Sequence, residues 1–472
     1  MRENATPAAD PDGPKGGHRT LGLWSIRRTL IAAFSAATGL LVAAWFFISW
    51  LLGSPPKAPS EPLDTSAQLE LLKLVFGLVA GVGALVALIT SYRRQRIDEV
   101  AQVHAQQVAN ETAHDATERR VTDLYGQAVE QLGHDKAAVR LGGLYSLERL
   151  AQDHPRHQQT IVDVVCAYLR MPFDAMGIMD LQTNPDADGG TTNGPRDNNA
   201  RQELQVRLAA QGLLSRHLKA NNENQTSYWD GILVDLTGAR LVNLDFSDTH
   251  LYEATFRDVE FFGGATFDRA YFDGDSSFHG TRFDNIASFN KTHFDGNTSF
   301  RESQFDADLI LNRAQFRRNA TFAEAHFMGT STLTGVKFCG TAWFSNARFD
   351  NPASFMEAHF KGAAMFQGAS FSGASFSDAQ FERDAWFRQA KFHGSVMYTR
   401  GRFSGYTSFC DAQFEGVATF EEAHFDSDPL FANVAISEPN GPHIWPDNQR
   451  TEPSSPDQDL QRLLSIIYDS SQ

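Results

Sequence analysis

Large apolar residues recur through the second half of the chain at a spacing that neither a helix nor an ordinary strand produces. From Leu236 to Phe256 they stand every five residues, and from Phe262 to Ile436 the intervals mostly alternate between five and six. An α-helix would repeat its apolar residues about every 3.6 positions, and a strand would repeat them every two. This regular spacing therefore predicts a repeat architecture in which each unit forms one short side of a coil.

A small residue stands two positions before most of the large ones, as Ala342 stands before Phe344. Residues two apart in an extended segment point to the same side, so both should face inward and Trp343 between them should face outward. A core that reuses one ring explains why the sequence has 37 Phe but only 10 Tyr and 7 Trp. The predicted core includes Phe322, Phe327, Phe338, Phe344, Phe349, Phe355 and Phe360.

This unit resembles that of the pentapeptide-repeat family, which consists of a small residue, a polar residue, a central Leu or Phe, and two further polar residues. The resemblance implies a mostly β fold, namely a right-handed quadrilateral β-helix over residues 232–436 with four units per coil. The chain departs from the plain repeat by one additional residue in every second unit, which gives coils of about 22 residues. Gly or Asn is common at the additional position, as at Gly274 and Gly340, so we expect a left-handed residue in these longer corners.

Two uncharged apolar stretches, residues 29–52 and 74–92, precede the repeats. Each is long enough to cross a bilayer, so residues 29–92 are predicted to form a transmembrane hairpin. A signal peptide would lack the second stretch, and a buried hairpin of a soluble core rarely carries so long an uncharged run. Arginines flank the outer ends of the hairpin, which predicts a bacterial inner-membrane protein with both termini and the repeat domain in the cytoplasm.

The remaining segments are predicted from helical periodicity and from Pro, Gly and Asn content. We expect Gly133 to end one connector helix, Asp135 to cap the next and Pro155 to begin a third. The cap of the last coil is expected to include Trp445 and a short amphipathic helix at residues 460–468. The predicted segments are a disordered N-terminus (1–28), a helical connector with a HEAT-like hairpin (93–175), a flexible linker (176–200), a helix that leads into the repeats (201–220), and a capping segment with a disordered tail (437–472).

The sequence offers no convergent set of catalytic or metal-binding residues. It lacks a phosphate loop, a GxSxG elbow and an HExxH motif, and its three cysteines form no CxxC pair. Four histidines stand in outward positions before a central Phe, but the coil geometry places them on opposite faces or three coils apart (His293, His326, His359 and His424). We therefore predict no catalytic, cofactor or metal site, and no enzymatic activity.

Sorting the outward residues by side of the coil singles out one apolar series. Four units separate Trp343 from Met365, and four more separate Met365 from Trp386, so these side chains should stack on consecutive coils. An exposed apolar stripe of this kind is typical of an interface. Its occupant is left open among an unnamed protein partner, a second copy in a homo-oligomer, the helical connector and the C-terminal tail.

Two functions are compared. The leading one is a membrane-tethered protein-interaction scaffold. The alternative, which the family resemblance implies, is a DNA mimic that inhibits a DNA-processing enzyme such as gyrase. Residues 236–436 contain 25 Asp and Glu against 17 Lys and Arg, far less net charge than a duplex, which carries one negative charge about every 1.7 Å. Mimicry is therefore disfavoured, and the net charge of -16 makes nucleic-acid binding unexpected.

Overall fold

In the computed structural model of this protein, the described residues are 26–51, 65–174, 195–220, 228–437 and 441–446. The chain divides into two units, residues 1–117 and 118–472. The predicted disordered termini, most of the predicted linker and the predicted helix at residues 460–468 lie outside the described residues.

The first unit contains helix α1 (Ile26–Leu51) and the beginning of helix α2 (Thr65–Leu132). Neither segment contains a Pro, whereas residues 52–64 contain four. Among the described residues, one helix, over Phe76–Leu132, is long and apolar enough to cross a membrane. Its apolar side chains are exposed, with Phe76 at 66% and Leu88 at 72% of their accessible area.

The second unit begins with the end of α2 and continues through α3 (Ala137–Asp153), a 3-10 helix (Pro155–His157), α4 (Gln158–Arg170) and α5 (Pro195–His217). As predicted, α2 ends at the residue before Gly133. Asp135 is not the N-cap of α3, because Lys136 holds that position and makes no side-chain cap bond. Instead, Arg140 reaches back and donates a hydrogen bond to the Asp135 carbonyl oxygen at 2.7 Å. Helix α5 begins six residues before the predicted start.

Arg207 on α5 joins the helices to one another. Its side chain is only 3% exposed, and its guanidinium lies 4.5 Å from the ring centre of Phe173. It donates hydrogen bonds to the carbonyl oxygens of Leu169 and Met171, both at 2.9 Å, and to the Glu203 carboxylate at 2.8 Å. Buried donors need partners, and these contacts satisfy the last carbonyls of α4.

Residues 233–436, all of them described, form a parallel β-solenoid of about nine turns, whose strands lie in four sheets. Sheet I contains β1 (Leu233–Asp235), β4 (Glu253–Thr255), β8 (Ser276–Ser277), β12 (Thr298–Ser299), β16 (Ala320–Thr321), β20 (Ala342–Trp343), β24 (Ala364–Met365), β28 (Ala385–Trp386) and β32 (Thr407–Ser408). Sheet II contains β2 (Arg240–Val242), β5 (Glu260–Phe262), β9 (Arg282–Phe283), β13 (Gln304–Phe305), β17 (His326–Phe327), β21 (Arg348–Phe349), β25 (Ser370–Phe371), β29 (Lys391–Phe392), β33 (Gln413–Phe414) and β36 (Ala435–Ile436).

The other two sheets complete each coil. Sheet III contains β6 (Ala265–Thr266), β10 (Ala287–Ser288), β14 (Leu309–Ile310), β18 (Ser331–Thr332), β22 (Ala353–Ser354), β26 (Ala374–Ser375), β30 (Val396–Met397) and β34 (Ala418–Thr419). Sheet IV contains β3 (His250–Leu251), β7 (Tyr271–Phe272), β11 (His293–Phe294), β15 (Gln315–Phe316), β19 (Lys337–Phe338), β23 (His359–Phe360), β27 (Gln380–Phe381), β31 (Arg402–Phe403) and β35 (His424–Phe425). The chain visits the sheets in the order I, II, III, IV, as predicted for four units per coil.

The register follows the spacing of the apolar residues. Ala342 of β20 pairs with Ala364 of β24, one coil of 22 residues later. The first coil is shorter, with 20 residues between Leu233 and its partner Glu253. Later in the solenoid a coil has 21 residues, and Ala353 pairs there with Ala374. This later shortening arises because Phe371 and Phe376 are five residues apart where the alternation would give six.

Phe rings fill the interior in continuous stacks. The ring of Phe344 lies 4.8 Å from that of Phe322 and 4.9 Å from that of Phe366, with interplanar angles of 1° and 6°. It also meets Phe338 and Phe355 edge to face. The seven core residues named from the sequence are each at most 1% exposed (Phe322, Phe327, Phe338, Phe344, Phe349, Phe355 and Phe360).

The prediction of left-handed residues in the longer corners is wrong at the positions named from the sequence. Positive φ occurs mainly in the five-residue corners, two positions after the central residue, as at Gly280 (66°) and Lys291 (58°). The longer corner after Phe261 is an exception, with a φ of 70° at Gly263. Gly340, at the additional position of a longer corner, does not have positive φ. A Cβ at Gly340 would lie 2.5 Å from the carbonyl carbon of Arg318 in the preceding coil. Glycine is needed there because adjacent coils approach closely, which is a second reason for glycine at a turn.

Aromatic residues cover both ends of the solenoid. At the first coil, Trp229 is 1% exposed and its ring stacks on that of His217 at 4.1 Å. At the last coil, the ring of Trp445 lies 5.7 Å from those of Phe420 and Phe431, and Ile444 bridges to Thr419. These contacts bury apolar surface that the terminal coils would otherwise expose.

Phe344→Ala is expected to destabilise the protein by about 3 to 5 kcal/mol, because removing a fully buried ring leaves a cavity between stacked neighbours. His359→Ala, on the outer side of β23, should change stability by no more than about 0.5 kcal/mol. Melting of the full chain in detergent, followed by the β-sheet circular dichroism signal, measures both. Equal shifts in melting temperature would contradict the described division into inner and outer residues.

Candidate functional site

One side of the solenoid carries three large apolar side chains in a row. Within sheet I, Trp343 pairs in register with Met365, and Met365 pairs with Trp386. We call these three residues the ladder. All three are partly exposed, because each occupies the outward position of its strand while the Ala before it points inward.

The ladder side chains are larger than the residues at the corresponding positions of the strands before and after them. The strand before it presents Thr321 at the outward position, and the strand after it presents Ser408. Tyr406, 39% exposed, lies beside the last rung, with its ring centre 5.1 Å from that of Trp386. Sequence reasoning missed Tyr406 because it occupies a corner rather than an outward strand position.

A shallow groove adjoins the ladder on sheet I. It has a volume of about 330 Å³ and ends against Trp343. Small outward residues form its floor, and polar corner residues form one edge (Thr255, Ser277, Ser299 and Thr321; Asp275, Asn297 and Asn319). Asp275 accepts a hydrogen bond from the Asn297 backbone N–H at 2.7 Å, so the edge is ordered by contacts between coils. The run of Ser and Thr before Trp343 was the available sequence signal for this groove.

The helices of the second unit meet the solenoid at its first coil. Gln159 on α4 exchanges two hydrogen bonds of 2.9 Å with the backbone of Leu233, and Gln211 on α5 binds the Val242 backbone. Leu233 lies in β1, five strand spacings from Trp343 in sheet I. The helices and the ladder therefore lie at different heights of the solenoid.

The four outward histidines do not converge. His293, His359 and His424 are on sheet IV, and His326 is on sheet II. Three of them pair with carboxylates of their own or the next coil: His326 with Asp350 at 2.7 Å, His359 with Glu382, and His424 with Asp426 at 3.1 Å. Within the described residues there is no group of three or more side chains arranged to hold a metal ion.

Ion pairs between adjacent coils neutralise much of the surface charge. Arg400 makes two hydrogen bonds of 2.7 Å to the Asp378 carboxylate, and these hold the pKa of Asp378 below its usual value. Burial alone would raise the pKa of Asp350, but hydrogen bonds from His326 and Arg348 outweigh burial and lower it. The acidic residues are thus interleaved with bases, unlike the unbroken negative charge of a nucleic-acid backbone.

The comparison with protein families agrees with this geometry. Residues 267–315, 311–359 and 355–397 each match the family model described as pentapeptide repeats (9 copies), and residues 233–263 match the one described as pentapeptide repeats (8 copies). The solenoid is a pentapeptide-repeat domain. Beyond the matched residues the same register continues, since Phe414 pairs with Ile436. No curated protein and no solved structure gave a significant match to this chain.

Proposed function

We propose that this protein is a membrane-tethered scaffold whose pentapeptide-repeat domain binds a protein partner through the ladder and catalyses no reaction. The observation that carries the proposal is the ladder itself. Outward positions on the neighbouring strands are mostly polar, whereas Trp343, Met365 and Trp386 place three large apolar side chains on consecutive coils. Trp is prominent among residues that dominate interface energies.

The membrane anchor is proposed to consist of two spans, one in α1 and one in α2. The exposed apolar side chains of α2 support the second span, and those of α1 support the first, with Phe34 at 72% and Phe46 at 67% exposure. Such side chains are stable in lipid and costly in water. The arginines at the outer ends of the pair favour a bacterial inner membrane with both termini and the solenoid in the cytoplasm.

A reporter that is active only in the cytoplasm, fused after Gln472, should be active, and one that is active only outside the cytoplasm should not. We expect this because the arginines that flank the outer ends of the two apolar stretches stay on the cytoplasmic side during membrane insertion. A matched fusion after position 57, between the two apolar stretches, should show the opposite pattern. Activity of the C-terminal fusion outside the cytoplasm would overturn the proposed orientation.

DNA mimicry remains the second candidate and is less well supported. A DNA mimic needs a regular array of unpaired negative charges. Here Arg269 makes two hydrogen bonds to the Asp248 carboxylate, and Arg400 makes two to that of Asp378.

The coil is proposed to be right-handed, which is the hand that parallel crossover connections take. A crystal structure of the domain with left-handed coils would contradict that assignment.

Replacing both ladder tryptophans, Trp343→Ser with Trp386→Ser, should abolish capture of the partner from native membranes without unfolding the solenoid. The matched control is Met397→Ser, since Met397 is 43% exposed at the outward position of β30 on sheet III. Affinity capture of the full chain followed by mass spectrometry, with circular dichroism as the fold control, measures this. Identical partner sets from the wild type and the folded double variant would refute binding through the ladder.

A further inference from the structure

The ladder leaves apolar surface partly exposed, and the chain itself carries a segment that fits it. Residues 447–472 follow the last described residue, Pro446. Four of their apolar residues stand in the i, i+3, i+4, i+7 pattern of one helix face (Leu460, Leu463, Leu464 and Ile467), whereas Ile466 lies off that face. Ser455, Pro456 and Gln458 supply a capping residue, a Pro at the first helical position and a Gln at the third.

We propose that this C-terminal segment does not cap the last coil, where Trp445 already packs, but docks as a helix along the ladder of its own chain and covers it until a partner displaces it. The inference rests on the proposed function only in taking the ladder as a binding surface. It requires neither the membrane spans nor the identity of the partner.

The two surfaces have nearly the same repeat. A helical apolar stripe advances one step every 3.5 residues, or about 5.3 Å at 1.5 Å per residue. The ladder advances one strand spacing, about 4.8 Å, per rung. Over three rungs the mismatch is only about 1 Å, so one register suits the whole contact. In that register Leu460 faces Trp386, the pair Leu463 and Leu464 faces Met365, and Ile467 faces Trp343.

The length and position of the tail allow this contact. Trp445 packs on Phe431 in the last coil, and the neighbouring Leu430 bridges to Ser408, the residue that pairs with Trp386. Trp386 is therefore about 10 Å from Leu430 along the stack, two strand spacings. Residues 447–455, which precede the proposed helix, can span up to about 30 Å when extended, so the segment reaches the ladder without strain.

Hydroxyl-radical footprinting of the full chain in detergent micelles, read out by mass spectrometry, tests the contact. Truncation after Ser455 should raise the oxidation of Trp343, Met365 and Trp386 severalfold. Oxidation of Met397, which is exposed on sheet III, should stay constant and serves as the internal control. Protection of the buried Phe344 ring shows that the variant is folded.

Two double variants show whether the apolar stripe of the tail, and not merely the presence of the tail, protects the ladder. Leu463→Ser with Leu464→Ser should reproduce the effect of truncation, whereas Gln461→Ser with Arg462→Ser, on the other side of the helix, should leave the ladder protected. Unchanged ladder oxidation in the truncated or the leucine variant overturns the proposal. So does protection that falls on dilution of the full chain, since that would assign the cover to a second copy. Neither outcome depends on partner capture, so this proposal and the proposed function can fail separately.

Discussion

The spacing of parallel strands is the constraint on which the rest of the structure depends. Adjacent strands in a sheet lie about 4.7 to 4.9 Å apart, and this is also a favourable separation for stacked aromatic rings. In this solenoid the ring centres of Phe322 and Phe344 are 4.8 Å apart, and those of Phe344 and Phe366 are 4.9 Å apart. Backbone pairing and ring stacking therefore reinforce each other in every coil. A single residue type can fill successive layers because the geometry of each layer repeats.

This constraint explains why the sequence was so informative about the solenoid and less so about its corners. The interval between large apolar residues determines which strands pair, so the pairing of Trp343 with Met365 followed from counting units. The glycines were misinterpreted because two different backbone requirements select the same residue. A positive φ and a close approach of neighbouring coils cannot be told apart by residue type alone, as Gly280 and Gly340 show.

Features that depend on the details of packing were also beyond sequence reasoning. Tyr398 replaces Phe in a core stack, where it is fully buried and its hydroxyl has no hydrogen-bond partner among the described residues. The pattern predicts burial at that position, but it does not reveal whether the hydroxyl finds a partner. The ladder was recognisable from outward positions alone, whereas Tyr406 and the adjoining groove required the course of the corners.

A solenoid separates the residues that specify the fold from those that contact other molecules. The strand spacing restricts the inward positions to a large ring or Leu and to small residues such as Ala, Ser and Thr. Outward positions are free to vary, as their mixture of His, Gln, Lys, Arg, Ser and Thr shows. Ile310 and Met397 are isolated apolar residues at outward positions, whereas the ladder places three on consecutive coils, and no folding requirement explains that series. This is why we assign interaction to the ladder and structural roles to the rings beneath it.

Cross-linking of outward residues tests the central claim, the in-register stacking of coils, most directly. Lys337 and His359 face each other on adjacent strands, so Lys337→Cys with His359→Cys should form a disulfide readily, because a Cα separation of about 4.8 Å lies within the range disulfides need. Lys337→Cys with Arg348→Cys, closer in sequence but on different sheets, should not. Both pairs are made with Cys339 and Cys410 changed to Ser. Efficient cross-linking of the 337 and 359 pair alone is the predicted result, and equal or preferential cross-linking of the 337 and 348 pair would contradict the coil.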